Sequence, residues 1–173
     1  MEQEKVCPYC LIAQGKIPAN IIYEDSNFVA ALEIKPANAG HVILFPRDHT
    51  KSITELNEIQ RQNFFSVLSR ISNILQKLSN GMNILISDGE IAGQIFPHLT
   101  VNIIPRFEND NINFLWQQKP ISEEQNLKLK SVLSESLKLP LKKQEEPKIS
   151  SDDIEKLKNK LQDNLTKLKK RKP

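Results

Sequence analysis

Short apolar runs separated by turn residues fill the first part of the chain. Residues 21–23 and 27–33 are typical of two β-strands, with an acidic turn at residues 24–26 between them. Residues 35–40 contain proline and glycine and predict a loop. The run at 41–45 that follows predicts a mostly buried strand ending at a proline. This part of the chain therefore begins with three strands.

A longer apolar series with helical spacing comes next. Ser52 is a plausible N-cap because Glu55 lies three residues further on, the spacing of a capping box. The helix is expected to end near Asn80 and Gly81. Its apolar positions are Leu56, Ile59, Phe64, Val67, Leu68, Ile71, Leu75 and Leu78.

Two more strands are predicted at residues 82–87 and 98–104. The order is then three strands, one helix and two strands, with short connections. This order favours an α+β domain with an antiparallel sheet of about five strands and one long helix, rather than a doubly wound parallel sheet. We assign this domain to residues 1–120.

The sequence after Trp116 predicts a helical extension. Ser122 caps a helix within residues 121–139, residues 140–150 form a linker, and residues 151–173 form a basic amphipathic helix. A narrow apolar stripe on that last helix requires a partner helix or a groove. It consists of Ile154, Leu157, Leu161, Leu165 and Leu168.

Charge separates the two parts of the chain. The net charge is +3, but residues 1–120 carry 10 basic and 12 acidic side chains, whereas residues 121–173 carry 14 and 9. The basic tail suits nucleic acid, an acidic partner or packing against a second copy of the chain. The favoured interpretation is a solvated surface helix that covers its own core. Because no aromatic residue follows Trp116, the tail offers nucleic acid phosphate contacts but no base stacking.

The amino-terminal sequence and the hydropathy bear on location. No apolar run is long enough to span a membrane, and the first residues do not resemble an export signal. We therefore expect a cytoplasmic protein without membrane contact.

Cys7 and Cys10 introduce the first candidate chemistry. A Cys-x-x-Cys pair serves as a redox dithiol in thioredoxin-like folds or as half of a zinc site. The redox interpretation is disfavoured because only six residues precede Cys7, too few for the strand that this motif needs. Zinc requires two more ligands, and two of the three histidines can supply them.

A series of short motifs follows in order along about a hundred residues. The motifs are Cys7-x-x-Cys10, Gly15-x-Ile-Pro18, Ile22-Tyr-Glu-Asp25, Pro36, Gly40-His-Val-Ile-Leu-x-Pro46-x-x-His49, Gly89-x-x-Ala-Gly93-Gln94 and His98-x-x-x-x-Ile-Ile-Pro105-Arg106. No single motif is specific, but the ordered series resembles the histidine-triad (HIT) family of nucleotide hydrolases and transferases.

The resemblance implies a cofactor, a partner and a ligand. In zinc-containing members, the positions that match Cys7, Cys10, His49 and His98 bind the metal. A Cys2His2 set leaves no open coordination position, so the zinc would be structural. The resemblance further implies a homodimer and a purine nucleotide as ligand. The nucleotide-binding positions would be Glu33, Ser87, Gln94, Thr100 and Asn102.

The sequence departs from the family at the signature strand, which normally presents three histidines on one face. Here His98, Thr100 and Asn102 share that face because a strand has a period of two. The middle histidine is the family's nucleophile, so Thr100 stands at the nucleophile position. Asn102 stands at the third position of the triad, and no residue is assigned as catalytic.

Two functional hypotheses follow from this departure. The favoured one is a HIT protein with a structural zinc site and an inactive nucleotide pocket, which acts as a nucleotide-binding or interaction module. The alternative is a phosphoramidate or dinucleotide hydrolase that retains activity through a nucleophile foreign to the family. Thr100 would then require an adjacent base, which the sequence does not reveal.

Overall fold

A computed structural model describes residues 7–137 of the chain. The described residues fall into two units, one ending at Leu115 and the other beginning at Trp116. The predicted linker at 140–150 and the predicted tail helix at 151–173 lie outside the described residues.

The first unit is built on a five-stranded sheet in the order β1-β2-β3-β5-β4, with every neighbouring pair antiparallel. This confirms the predicted α+β class. The strands are β1 (Asn20–Glu24), β2 (Phe28–Leu32), β3 (Val42–Pro46), β4 (Gly81–Ile86) and β5 (Val101–Arg106). The helices are α1 (Pro8–Ala13), α2 (Glu58–Gln76) and α3 (Glu123–Ser136), and short 3-10 helices span Ile53–Glu55 and Glu90–Ala92.

The central strands β2 and β3 are buried on both faces, which explains their continuous apolar sequences. On one face, Phe28, Ala30 and Leu44 pack with α2. On the other face, Val29 and Phe45 pack against α1 and the residues that follow it. The sequence did not predict α1, although this short helix packs on the sheet's second face.

Helix α2 packs along the sheet through one apolar stripe and supplies much of the core. Five buried side chains of this kind contribute on the order of 10 kcal/mol of transfer free energy. They are Phe64, Val67, Leu68, Ile71 and Leu75.

Both predicted ends of α2 are wrong. The helix is capped by Asn57, whose side chain accepts from the Gln60 N–H while the Gln60 side chain accepts from the Asn57 N–H. Ser52 caps only the short 3-10 helix, because Leu56 has extended backbone angles and breaks the helical path. At the other end, the C-cap is Lys77 rather than Asn80 or Gly81.

Strand β5 begins at Val101, three residues later than predicted. The Leu99 N–H donates to the carbonyl of Thr50 instead of joining the sheet. Strand β5 can contain Pro105 because β3 pairs with β5 only as far as Ile103, so no residue of β3 pairs with Pro105. The Pro105 carbonyl accepts from Asn38 on that unpaired side, so the missing proline N–H breaks no ladder bond.

The predicted alternation along β5 is confirmed where it determines the site. Val101 and Ile103 face the α2 core, whereas Asn102, whose pairing partner is Ile43, faces the side covered by α1. The polar residue is therefore kept out of the main core.

The second unit contains α3. Ser122 caps it as predicted, in a capping box with Gln125. Its apolar side chains are exposed. Within residues 7–137, no helix combines the length and apolar character needed to cross a membrane.

The Asn57 cap gives the first testable prediction. Asn57→Ala removes an acceptor from the exposed α2 N-terminus, so the free energy of unfolding should fall by about 1 kcal/mol. Urea denaturation measures this loss, and Asn57→Asp, which keeps the acceptor, should stay within a few tenths of wild type. A larger loss in Ser52→Ala than in Asn57→Ala would contradict the assigned cap.

Candidate metal centre and adjoining cavity

Helix α1 presents the two cysteines. Cys7 is the N-cap residue, Pro8 occupies the first helical position, and the Leu11 N–H donates to the Cys7 carbonyl. Cys7 and Cys10 are three residues apart around this turn, so both sulfurs lie on one side of the helix. They are free thiols and are half-buried.

The two cysteines meet His49 and His98, as the resemblance implies. One donor atom from each of the four residues lies within 4.8 Å of the others. The Cys7 Sγ is 3.3 Å from His98 Nδ1, and the Cys10 Sγ is 3.3 Å from His49 Nδ1 and 3.6 Å from His98 Nδ1. These distances match the edges of a tetrahedron around zinc, about 3.3–3.8 Å for bonds of about 2.0–2.3 Å.

His98 is oriented for metal binding by its second nitrogen. The ring is fully buried, and its Nε2–H donates to the Pro46 carbonyl at 2.9 Å. Since this bond places the proton on Nε2, Nδ1 keeps a free lone pair directed at the sulfurs. Burial lowers the pKa of His98, which favours the neutral form that ligates metals.

The thiols themselves favour a bound cation. Burial and the neighbouring Cys7 thiol raise the pKa of Cys10 to about 11. Without a positive charge beside it, the Cys10 sulfur therefore stays protonated at neutral pH. A divalent metal reverses this balance by stabilising thiolates. The four residues form a candidate metal site whose donor chemistry fits zinc.

A cavity of about 480 Å³ lies beside the metal cluster, on the α1 side of the sheet. This volume lies in the range of small-molecule sites, roughly 300–1,000 Å³. All five predicted nucleotide-binding residues line it. The full lining is Tyr9, Glu33, Lys35, His41, Ser87, Gly93, Gln94, Ile95, Phe96, Thr100 and Asn102.

Thr100, at the predicted nucleophile position, is hydrogen-bonded to two groups. Its hydroxyl donates to the His98 carbonyl at 3.0 Å. Tyr9, which also contacts Thr100, stays protonated because burial raises its pKa, although the hydrogen bond with Thr100 acts in the opposite direction. Within residues 7–137, the proton of the Thr100 hydroxyl therefore has a main-chain carbonyl as its acceptor.

His41 carries the one imidazole among the described residues that line the cavity, and both of its nitrogens are engaged. The Ala37 N–H donates to Nδ1 at 3.1 Å, and Nε2 lies 3.1 Å from the Asn102 side-chain oxygen. With Nδ1 occupied, His41 has no lone pair available for proton abstraction.

Gln94 closes the loop that forms one wall of the cavity. Its side-chain oxygen accepts from the Gly89 N–H, and its amide nitrogen donates to the carbonyls of Lys51 and His98. Gly89 and Gly93 have φ values of +88° and +91°, which explains why glycine occupies both positions. The Gln94 side chain thus holds the loop in place as well as lining the cavity.

Sequence reasoning missed three lining residues with clear chemistry. Tyr9 reaches the cavity from α1, and its ring packs against Phe45, Phe96 and His98. Lys35 supplies the basic group, and Phe96 supplies an aromatic wall. The tyrosine within the Cys-x-x-Cys motif was the available signal for Tyr9, but its role depends on a helix that the sequence did not predict.

Comparison with known proteins agrees with this arrangement. The chain is 34% identical over 131 residues to an uncharacterised HIT-like protein of Methanocaldococcus jannaschii, covering 75% of this chain and 98% of that one. It is 27% identical to the adenosine 5'-monophosphoramidase of Schizosaccharomyces pombe, covering 76% and 98%. A Zn-bound histidine triad family protein from Mycobacterium smegmatis has a TM-score of 0.58 and 30% identity, covering 78% and 98%.

The HIT domain model matches residues 14–109, more than half of the chain. That range contains all five strands of the sheet, the long helix α2 and both histidines of the metal cluster. The chain therefore belongs to the HIT domain family.

Proposed function

We propose that this protein binds a purine nucleotide without turning it over, in a cavity supported by a structural zinc ion. Cys7, Cys10, His49 and His98 hold the metal, and the adjoining cavity holds the nucleotide. The S. pombe relative is by name an adenosine 5'-monophosphoramidase, so an adenine nucleotide is the first ligand to test.

The observation that carries this proposal is that, among the described residues, no base is hydrogen-bonded to the Thr100 hydroxyl. Attack on a phosphorus atom by an alcohol requires removal of its proton. The hydroxyl donates to a backbone carbonyl, Asn102 has no basic atom, and the His41 Nδ1 lone pair already accepts from a main-chain N–H. His98 is engaged by its backbone bond and by the cysteines.

The cavity retains features that suit a nucleotide. Tyr9 and Phe96 supply aromatic surface, and Lys35 supplies a positive charge for phosphate. Glu33, whose carboxylate accepts from the Lys35 N–H, has one oxygen left to accept hydrogen bonds from ribose hydroxyls.

Zinc is the metal that best fits the donor set. Two thiolates and two imidazoles at tetrahedral spacing select zinc over the hard cations, which prefer oxygen ligands. Four protein ligands leave no position for a metal-bound water, so the role of the metal is structural. It links α1 to the segment after β3, which carries His49, and to the segment before β5, which carries His98.

The alternative function is hydrolysis through Thr100 with Glu33 as the base. One observation favours it: Glu33 is the carboxylate that lines the same cavity, and its charge acts on Tyr9, the neighbour of Thr100. A carboxylate is a weak base toward an alcohol, which places this function second.

We also propose that the chain forms a homodimer through α2 and β4. β4 is an edge strand, and its Ile84 and Ile86 side chains are exposed on the face that carries α2. Ile74 and Leu78 at the end of α2 are also exposed. Exposed apolar side chains beside an open sheet edge are typical of an interface.

Metal removal tests the structural role of zinc. The purified protein should contain one zinc per chain. A strong chelator should lower its free energy of unfolding by about 4 kcal/mol, compared with the same protein at a free zinc concentration of about a thousand times the Kd. The corresponding fall in Tm is on the order of 10 °C. Zinc analysis and thermal scans measure both. A Cys7→Ser, Cys10→Ser variant should contain no zinc and should not respond to chelator; unchanged stability of the chelated wild type would contradict the proposal.

An assay for turnover of an adenosine phosphoramidate tests whether the cavity is catalytically inactive. The wild-type protein should bind AMP but show no turnover, because Thr100 lacks a base. A Thr100→His, Asn102→His variant should gain at least about 100-fold in rate over wild type, since an imidazole nucleophile is restored. Thr100→Ala is the matched control and should equal wild type. Wild-type turnover abolished by Thr100→Ala or Glu33→Gln would establish the alternative function instead.

Sedimentation velocity tests the proposed interface. The wild-type protein should sediment as a dimer, whereas Ile74→Lys, Leu78→Lys should sediment as a monomer because two charges would be buried at the interface. Ile59→Lys is a matched control, since Ile59 is also exposed but lies at the opposite end of α2. Equal dimerisation of all three proteins would locate the interface elsewhere.

A further inference from the structure

His41 joins two groups whose hydrogen-bonding roles can be deduced. The Ala37 N–H, 3.1 Å from Nδ1, has a hydrogen to donate and no lone pair. Nδ1 must therefore be the unprotonated acceptor, and the proton of the neutral ring must lie on Nε2. Burial lowers the pKa of His41, against an opposing effect of Asn102 and Glu33, which keeps the ring neutral.

This tautomer fixes the orientation of Asn102. Because Nε2–H is a donor, the Asn102 atom 3.1 Å away must be the amide oxygen. The amide nitrogen then lies on the opposite side of the carboxamide group. The main-chain N–H of Ala37 thus fixes the tautomer of His41. That tautomer in turn determines that the amide nitrogen of Asn102 is directed away from His41.

The amide nitrogen of Asn102 has no hydrogen-bond acceptor among residues 7–137. Asn102 is half-buried, lines the cavity and lies next to Thr100 on the same face of the chain. Partly buried N–H groups are normally satisfied by protein, water or a bound molecule. Two donors therefore remain available to a ligand in the cavity.

We propose that His41 is a positioning residue that holds Asn102 as a fixed donor, so that the cavity selects ligands with an ionised, hydrogen-bond-accepting group such as a phosphate. This inference rests on the proposed function and specifies its chemistry. An imidazole at position 102 accepts or donates according to its protonation, whereas the amide held by His41 donates at every pH at which His41 stays neutral.

A purely structural role for His41 is the competing explanation, because its bond to Ala37 also anchors the loop before β3. Two substitutions separate the roles. In His41→Gln, the amide nitrogen takes the place of Nε2 and still donates to Asn102, but the Ala37 N–H loses its acceptor. In His41→Asn, the side-chain oxygen takes the place of Nδ1 and keeps the Ala37 bond, but the side chain is too short to reach Asn102.

Calorimetric titration with AMP on the full-length zinc-loaded protein measures the difference. His41→Gln should bind AMP within about threefold of wild type even though its Tm falls, whereas His41→Asn should bind about 10- to 100-fold more weakly, as expected for one misplaced bond to a charged group. Asn102→Asp, which replaces the donor with a negative charge, should bind at least about 100-fold more weakly. Tighter AMP binding by His41→Asn than by His41→Gln would overturn the proposal in favour of a loop anchor.

Nitrogen-15 NMR provides a readout that does not depend on nucleotide binding. The His41 signals should report a proton on Nε2, and titration with inorganic phosphate should shift the side-chain NH2 signals of Asn102. A proton on Nδ1, or Asn102 signals that respond to neither phosphate nor AMP, would overturn the proposal. If phosphate shifts those signals but AMP binds no tighter than phosphate, the positioning role is supported and nucleotide binding as the function is refuted.

Discussion

The buried hydrogen bond from His98 Nε2 to the Pro46 carbonyl is the constraint on which the functional region depends. It joins the segment before β5 to the end of β3, and it leaves Nδ1 directed at the sulfurs of α1. An unpaired imidazole nitrogen in a fully buried position would cost about 1–3 kcal/mol, so both nitrogens need partners. Nδ1 has its partner in the metal cluster, and Nε2 has its partner in the Pro46 carbonyl. The metal cluster and the backbone hydrogen bond therefore stabilise one another.

Helix α1 depends on the same arrangement. A six-residue helix is too short to be stable alone, and its stability comes from tertiary contacts. Ile12 packs under the sheet, Tyr9 stacks against Phe45 and His98, and the cysteines join the metal cluster. Because Tyr9 also forms a wall of the cavity, metal binding and cavity shape are coupled through this one turn of helix.

The parts of the fold that the sequence predicted correctly are those in which a repeating pattern decides the structure. The apolar spacing identified α2, and the continuous apolar runs identified β2 and β3. The start of α2 was wrong because Ser52/Glu55 and Asn57/Gln60 both have capping-box spacing, and only the extended backbone of Leu56 distinguishes them. Helix α1 was missed because its packing partners are distant in sequence.

The candidate site likewise divides into residues that the sequence predicted and residues whose role depends on contacts made by the fold. Family resemblance predicted the four clustered donors and five of the cavity residues, which spacing alone does not bring together. The role of His41 was not predictable, because it depends on a contact with Asn102 sixty-one positions away and on one main-chain N–H. Such a role becomes visible only when the fold has placed β3 beside β5.

The three positions of the degenerate triad differ in what the fold requires of them. His98 is buried and bonded on both sides, so its loss would cost stability as well as metal. Thr100 and Asn102 are only half-buried, and their side chains contact the His98 carbonyl, Tyr9 and His41 rather than the main core. Side chains at these two positions can therefore change without disturbing the packing of the sheet, whereas the first position cannot. The fold ties the first position to the candidate metal cluster and leaves the other two free to set the chemistry of the cavity lining.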